Sequence, residues 1–187
     1  MDNLKIGAII LSGGKSSRMG QDKGLLMLNN KPMIKYIIET LQQITDDIII
    51  VSNNNEYAKF NLPIYTDLIK ESGPLAGIYT GLVHSIHAKN IVISCDVPFV
   101  SVELLNFLIK NSENNNVIIP TNNNKDHQVI GVYDKSCASI FKEELANNQR
   151  KIKLALEKVN LKIIDANQFN SKEFTNVNTP IELNEIQ

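Results

Sequence analysis

Short apolar runs alternate along the chain with stretches of helical period. A first buried strand is expected over 7–12, closing on Ser12. PMIKYIIETLQQ (32–43) reads as a helix, with Pro32 tolerated in its first turn. DIIIVS (47–52) is a second buried strand and PIYT (63–66) a short third. Over 74–88, Leu75, Ile78, Tyr79, Leu82, Val83 and Ile86 fall at i, i+3, i+4, i+7, i+8 and i+11, one apolar helical face. NIVISC (90–95) is a fourth strand, and SVELLNFLIKN (101–111) a helix capped by Ser101. Strands follow at 117–120, 128–133 and 161–165, helices near 135–147 and 150–158, and a last helix from Thr179-Pro180. Asn clusters at 53–55, 114–116 and 122–124 read as polar loops.

Strands that are apolar on both faces and alternate with helices predict an α/β fold. Its sheet is mostly parallel and covered by helices. In such sheets ligands bind beyond the carboxyl ends of the strands. Attention therefore falls on Ser12 to Lys23, Ser52 to Asn54, Asp67, and Cys95 to Pro98.

The first of these segments, LSGGKSSRMGQDKGLL, combines glycines with Lys15, Arg18 and Lys23. A Walker A loop fails here, because the position five before Gly14 is Ile9, inside the strand. A G-x-G-x-x-G fingerprint fails as well, since Lys15 and Ser16 occupy the positions where its second glycine would stand. Gly13 and Gly14 still let the main chain approach a ligand and point N–H groups at it. The three cations can neutralise phosphate oxygens. A Gly-Gly turn with solvated basic residues is the bland alternative.

Asp96 ends the fourth strand, and Pro98 prevents simple continuation. A carboxylate there can hold Mg²⁺, which is bound by one or two carboxylates together with substrate phosphates. It can equally cap the next turn. Asp67 is a further strand-end acid, able to accept from a base or sugar or to cap a loop. In GPLAGI (73–78), the first-turn N–H groups offer an anion or base site, or ordinary helix initiation.

Composition narrows the classes. The chain has 187 residues, 19 basic and 20 acidic side chains and a net charge of −1. The length predicts one domain over 1–187. No global basic field gathers nucleic acid, and aromatic residues are too scattered for base stacking. The N-terminal apolar run is too short for a membrane span. Cys95 and Cys137 lack CxxC spacing, which suits a reducing cytoplasmic setting rather than a disulfide or zinc scaffold. Cys95 reads as a buried small residue, and His84 and His87 as structural side chains without a third ligand.

LSGGKSSRMGQDKGLL resembles the signature loop of the molybdenum cofactor guanylyltransferases, LAGG-x-S-x-RMG-x-DK-x-LL. GPLAGI, CDVPF and FTNVNTPIEL resemble further motifs of that family, in the same order and at similar spacing. The match spans nearly the whole chain. It implies a three-layer Rossmann-like nucleotidyltransferase fold and the transfer of GMP from GTP to Mo-molybdopterin, with release of pyrophosphate. It also implies that Leu11, Ser12 and Gly13 meet the nucleotide, with Gly14 and Lys15 in the same loop. Lys23 would contact phosphate, Asp67 would bind nucleotide, and Asp96 would hold Mg²⁺. Asn176 and Asn178 would lie on the pterin side. Molybdopterin cytidylyltransferases typically carry LAAG, so Gly13-Gly14 speaks for guanine. The partners implied are GTP, Mo-molybdopterin, other proteins of molybdenum cofactor biosynthesis and acceptor molybdoenzymes.

There are departures from the pattern. Ser12 replaces the usual alanine. Ser52 stands where some members have a nucleotide-contacting asparagine, with Asn53 and Asn54 beside it. His127-Gln128 replaces a common His-Pro. The chemistry is consistent with the residues present. A terminal phosphate is already a nucleophilic anion, so alignment and charge stabilisation by Lys15, Arg18, Lys23 and Mg²⁺ suffice. Arg150 and Lys151 can meet the pterin phosphate or simply open a solvated helix. Two rival readings are another small-molecule nucleotidyltransferase, using CTP or a sugar phosphate, and a non-catalytic nucleotide-binding regulator.

Overall fold

The computed structural model of the chain describes residues 5–13 and 22–177. Strand β1 (Ile6–Leu11) is buried along its whole length. A small antiparallel hairpin, β2 (Met27–Leu28) and β3 (Lys31–Pro32), precedes helix α1 (Met33–Leu41). Next come β4 (Ile48–Val51), β5 (Ile64–Tyr65), α2 (Gly73–His84), β6 (Lys89–Ser94) and α3 (Val102–Lys110). The second half contains β7 (Val117–Asn122), β8 (Lys125–Asp126), β9 (Ile130–Asp134), α4 (Cys137–Ala146), α5 (Ile152–Leu156) and β10 (Leu161–Asp165).

The main sheet has the order β10-β7-β9-β6-β1-β4-β5, with β8 paired to β7. It is mostly parallel, as the apolar strands predict. β9 is the exception in the centre, antiparallel to both β6 and β7. Period-two alternation divides the core into two layers. Ala8 and Ile10 pack with α1 and α3, through Ile34, Ile38, Leu104 and Leu108. Ile9 and Leu11 pack with α2, and that layer continues through Phe141 of α4. The result is helix, sheet, helix.

Expected and observed strands agree within a few residues. The first begins at Ile6 rather than 7, and the strand at 161–165 coincides with β10. Ser101 caps α3 as expected, its hydroxyl accepting from Leu104 N at 3.1 Å. Two differences have physical causes. Helix α2 stops at His84, not 88, because Ser85 turns away and its hydroxyl bonds the buried Asn90 side chain. Ile86 therefore leaves the apolar face and is 81% exposed. The 122–124 cluster is part strand and part turn: Asn122 ends β7, and Asn123 and Asn124 carry φ of 50° and 60°. Asparagine tolerates that left-handed backbone, which a two-residue hairpin needs. The helix expected from Thr179 lies outside the described residues.

α2 crosses β1 closely at Gly81, where a Cβ would overlap the fully buried Ile9 side chain. Gly81→Ala would regain about 1 kcal/mol of helix propensity. Overpacking costs about 1–3 kcal/mol, and it dominates because central β1 has no free side to shift toward. A lower urea midpoint for Gly81→Ala is expected. An equal or higher midpoint would show that the α2–β1 contact yields.

Candidate active site

The order β6-β1-β4-β5 lines up four chain segments at one carboxyl edge of the sheet. Backbone bonds fix their heights. Ser12 N donates to Val51 O, Cys95 N to Leu11 O and Ser52 N to Tyr65 O, each at 2.9 Å. Asp96 thus stands beyond β6, Ser12 and Gly13 beyond β1, Asn53 beyond β4 and Asp67 beyond β5. From β6 to β5 the edge spans three strand spacings, about 14 Å, which suits an elongated ligand.

Asp96 is buried, 8% exposed. Its Oδ2 lies 3.6 Å from Lys23 Nζ, while its Oδ1 is buried without a hydrogen-bond donor among the described residues. A carboxylate oxygen left so is costly unless a cation completes it. Hard oxygen donors of this kind fit Mg²⁺. Lys23 reaches this place from a 3₁₀ turn, Lys23–Leu25, capped by the Asp22 side chain, which accepts from Gly24 N at 3.2 Å.

At the other end of the edge, Asn53 and Asp67 bond reciprocally. Asn53 Nδ2 donates to Asp67 Oδ2 at 3.1 Å, and Asp67 N donates to Asn53 Oδ1 at 3.2 Å. Ser52 is turned inward instead, its hydroxyl accepting from Asn54 N at 3.1 Å. Asn53, rather than Ser52, therefore stands beside the strand-end acid. Burial raises the Asp67 pKa from its ordinary aspartate value, and the Asn53 amide opposes that in part.

The C-terminal segment closes over the Asp96 end. Val177 N donates to Asp96 O at 2.8 Å, and Val177 packs into a cluster with Leu26, Leu28 and Met33. Glu173 accepts from Ser101 N at 3.2 Å and from the Ser101 hydroxyl. Asn176 is half-buried next to Val177. Lys23, Asp96 and Val177 thus meet in one region, with Asn176 next to Val177 in the chain. Gly14, Lys15, Arg18 and Asn178 lie outside the described residues.

Other sequence candidates have structural places. Burial pushes the Cys95 thiol up to about 12, so it stays protonated. His84 stacks on Tyr65 at 3.9 Å, and His87 Nε2 lies 2.7 Å from Asp47 Oδ2. His127 packs on Phe174, ring centroids 4.8 Å apart, and burial lowers its pKa. Arg150 and Lys151 are exposed ahead of the short α5. Sequence reasoning missed Tyr57, which donates to Asp22; it singled out Asn54 as a strand-end residue but not its partner, Asp22, which the Asn54 amide reaches at 3.3 Å. The Asp-Lys pair of the glycine-rich loop pointed to Asp22. Nothing in NNNEYAKF signalled a buried partner for it.

Comparison with known proteins bears on this edge. A family model described as the MobA-like NTP transferase domain matches residues 8–160. A probable molybdenum cofactor guanylyltransferase from Flavobacterium johnsoniae is 37% identical over 178 residues, covering 95% of this chain and 94% of its own. A molybdenum cofactor guanylyltransferase from Vibrio parahaemolyticus is 33% identical, covering 94% and 91%. The crystal structure of molybdopterin-guanine dinucleotide biosynthesis protein A from Archaeoglobus fulgidus superposes with a TM-score of 0.81 at 25% identity, covering 96% and 95%. A 4-diphosphocytidyl-2C-methyl-D-erythritol synthase from Anaerococcus prevotii shares the fold, with a TM-score of 0.77 at 15% identity.

With a lysine and a strand-end carboxylate on such a sheet edge, the chain is a nucleotidyltransferase of the MobA-like NTP transferase class. Within that class it belongs to the molybdenum cofactor guanylyltransferases.

Asp67 carries a testable pH dependence. With its pKa raised, the folded state holds the proton more tightly than the unfolded chain. The ionised form therefore costs stability above the carboxylate range, and that cost fades on acidification. Asp67→Asn is expected to melt higher than the native protein at neutral pH. The gain should close as pH falls through the carboxylate range. A gain that persists in acid would place the effect in packing instead.

Proposed function

We propose that this chain transfers GMP from GTP to Mo-molybdopterin. The products are the molybdopterin guanine dinucleotide and pyrophosphate. The observation that carries this reading is the Lys23–Asp96 pair at the carboxyl edge, with one buried Asp96 oxygen left without a donor among the described residues. The whole chain, 1–187, acts as one domain. Its N-terminal part takes GTP and Mg²⁺, and its C-terminal part takes the pterin. Asp96 would hold Mg²⁺, which when bound supplies charge neutralisation for phosphate oxygens.

An oxygen of the acceptor's terminal phosphate attacks the α-phosphorus of GTP. A new P–O bond forms as the bond from the α-phosphorus to the α,β-bridging oxygen breaks, and pyrophosphate leaves. The attacking phosphate is already an anion, so no side chain must remove a proton. Lys23 receives part of the charge that moves onto the leaving group, with Lys15 and Arg18 of the same loop assisting. Leu11, Ser12, Gly13 and Gly14 present backbone to the nucleotide. Asp67, oriented by Asn53, accepts from its base or sugar. Asn176 and Asn178 face the pterin. The setting is cytoplasmic, beside other proteins of cofactor assembly and the molybdoenzymes that receive the product. Among the described residues no helix is long and apolar enough to cross a membrane.

The deciding experiment is pyrophosphate release with Mg²⁺ and Mo-molybdopterin, comparing GTP, CTP and ATP. GTP alone should support release. Lys23→Ala and Asp96→Asn should each lose about 100-fold or more in rate, with Asp96→Asn remaining folded. Preference for CTP would overturn the guanine reading. Full activity of Asp96→Asn at low Mg²⁺ would remove the metal role.

A further inference from the structure

Tyr57 belongs to none of the roles above, yet its hydroxyl reaches both sequence neighbours of Lys23. It donates a hydrogen bond to the Asp22 carboxylate. The same oxygen lies 2.5 Å from where a Cβ on Gly24 would stand, with Cys95 and Ser12 next nearest at 3.1 Å. Only a glycine leaves room for it there. The second Asp22 oxygen takes the Asn54 amide at 3.3 Å. Tyr57 and Asn54 both come from the connection between β4 and β5, outside the glycine-rich segment. Tyr57 is fully buried in the core layer of α1 and α3, so it is a fixed anchor. Asn54 is fixed too, its Oδ1 accepting from Glu56 N at 2.9 Å.

We propose that Tyr57 is a positioning residue for Lys23: by gripping Asp22 and fitting over Gly24, it sets the backbone from which the ammonium reaches Asp96 and the triphosphate. An O–H to carboxylate bond is charge-assisted and strong for its kind. The demand for it is geometric, because small misplacements of a charge-stabilising group cost rate steeply. A buried tyrosine also needs a polar partner for its own sake. That purely structural role would leave the chemistry of Lys23 untouched, and a double-mutant cycle separates the two. This inference rests on the reading of Lys23 as a phosphate-contacting group.

The cycle uses full-length protein, measures kcat/KM for GTP in pyrophosphate release, and records the melting temperature of each variant. Tyr57→Phe keeps the ring and should lose about tenfold. In a Lys23→Ala background the same change should add less than about twofold, since the group it positions is gone. Equal losses in both backgrounds, or a Tyr57→Phe enzyme as active as the native one, would overturn the proposal while leaving the role of Lys23 intact. If Lys23→Ala alone retains full activity, both this inference and the Lys23 reading fall, and Asp96→Asn then reports whether the reaction itself stands. Should Tyr57→Phe fail to fold, Asp22→Asn weakens the same bond at nearly constant shape. It should show the same loss alone and the same absence of loss without Lys23, and additive losses would again overturn the proposal.

Discussion

A carboxylate held out of water at the end of a central strand is the constraint on which the site depends. Asp96 stands two residues beyond β6, just after Cys95, whose N–H still bonds Leu11 of β1, and its own carbonyl is tied to Val177. One side-chain oxygen faces Lys23 and the other has no donor among the described residues. Removing an ionised group from water is unfavourable unless opposite charge is near. The fold therefore brings a cation to Asp96, Lys23, from the 3₁₀ turn that Asp22 caps. The neighbouring packing follows this need, with the β2–β3 hairpin, α1 and the C-terminal segment meeting around Val177.

The remainder of the edge spreads the work along the sheet. Parallel strands end at similar heights, which places the loops after β1, β4, β5 and β6 side by side. Each loop is then shaped by short-range polar bonds: Ser52 to Asn54, Asn53 to Asp67, Asp22 to Gly24. These bonds hold side chains without needing ligand, a form of preorganisation that favours charge stabilisation over motion. Antiparallel β9 sits between β6 and β7 and joins the two parallel parts of the sheet.

Much of the fold was legible because the pattern is local. A strand buried on both faces needs an unbroken apolar run, and a covering helix needs a periodic stripe. Both can be read residue by residue. The stripe of α2 misled in its last turn, where Val83 is exposed although helical, and beyond its end. Ile86 satisfies the period, but the buried Ser85–Asn90 contact takes the chain out of the helix first. The orientation of β9 was not legible either, because an apolar strand looks alike in either direction and only its neighbours fix its sense. At the site, Lys23, Asp67 and Asp96 were legible as strand-end and loop residues of suitable chemistry. Tyr57 was not. It sits in a polar stretch, and its bond to Asp22 joins residues 35 apart in the chain.

The sequence by itself determined the class of fold, the edge of the sheet that carries chemistry, and the kinds of group available there. Those follow from periodicity and from the positions where apolar runs stop. Tertiary structure decided which of those groups work together. Asp96 acquires its need for a cation only once burial removes its water. Asn53 displaces Ser52 as the partner of Asp67 only once β4 and β5 pair. Val177 reaches Asp96 only after the chain has crossed the whole sheet and returned. The physical reason is common to all three: burial and long-range contact depend on what the rest of the chain brings close, and no local stretch carries that information.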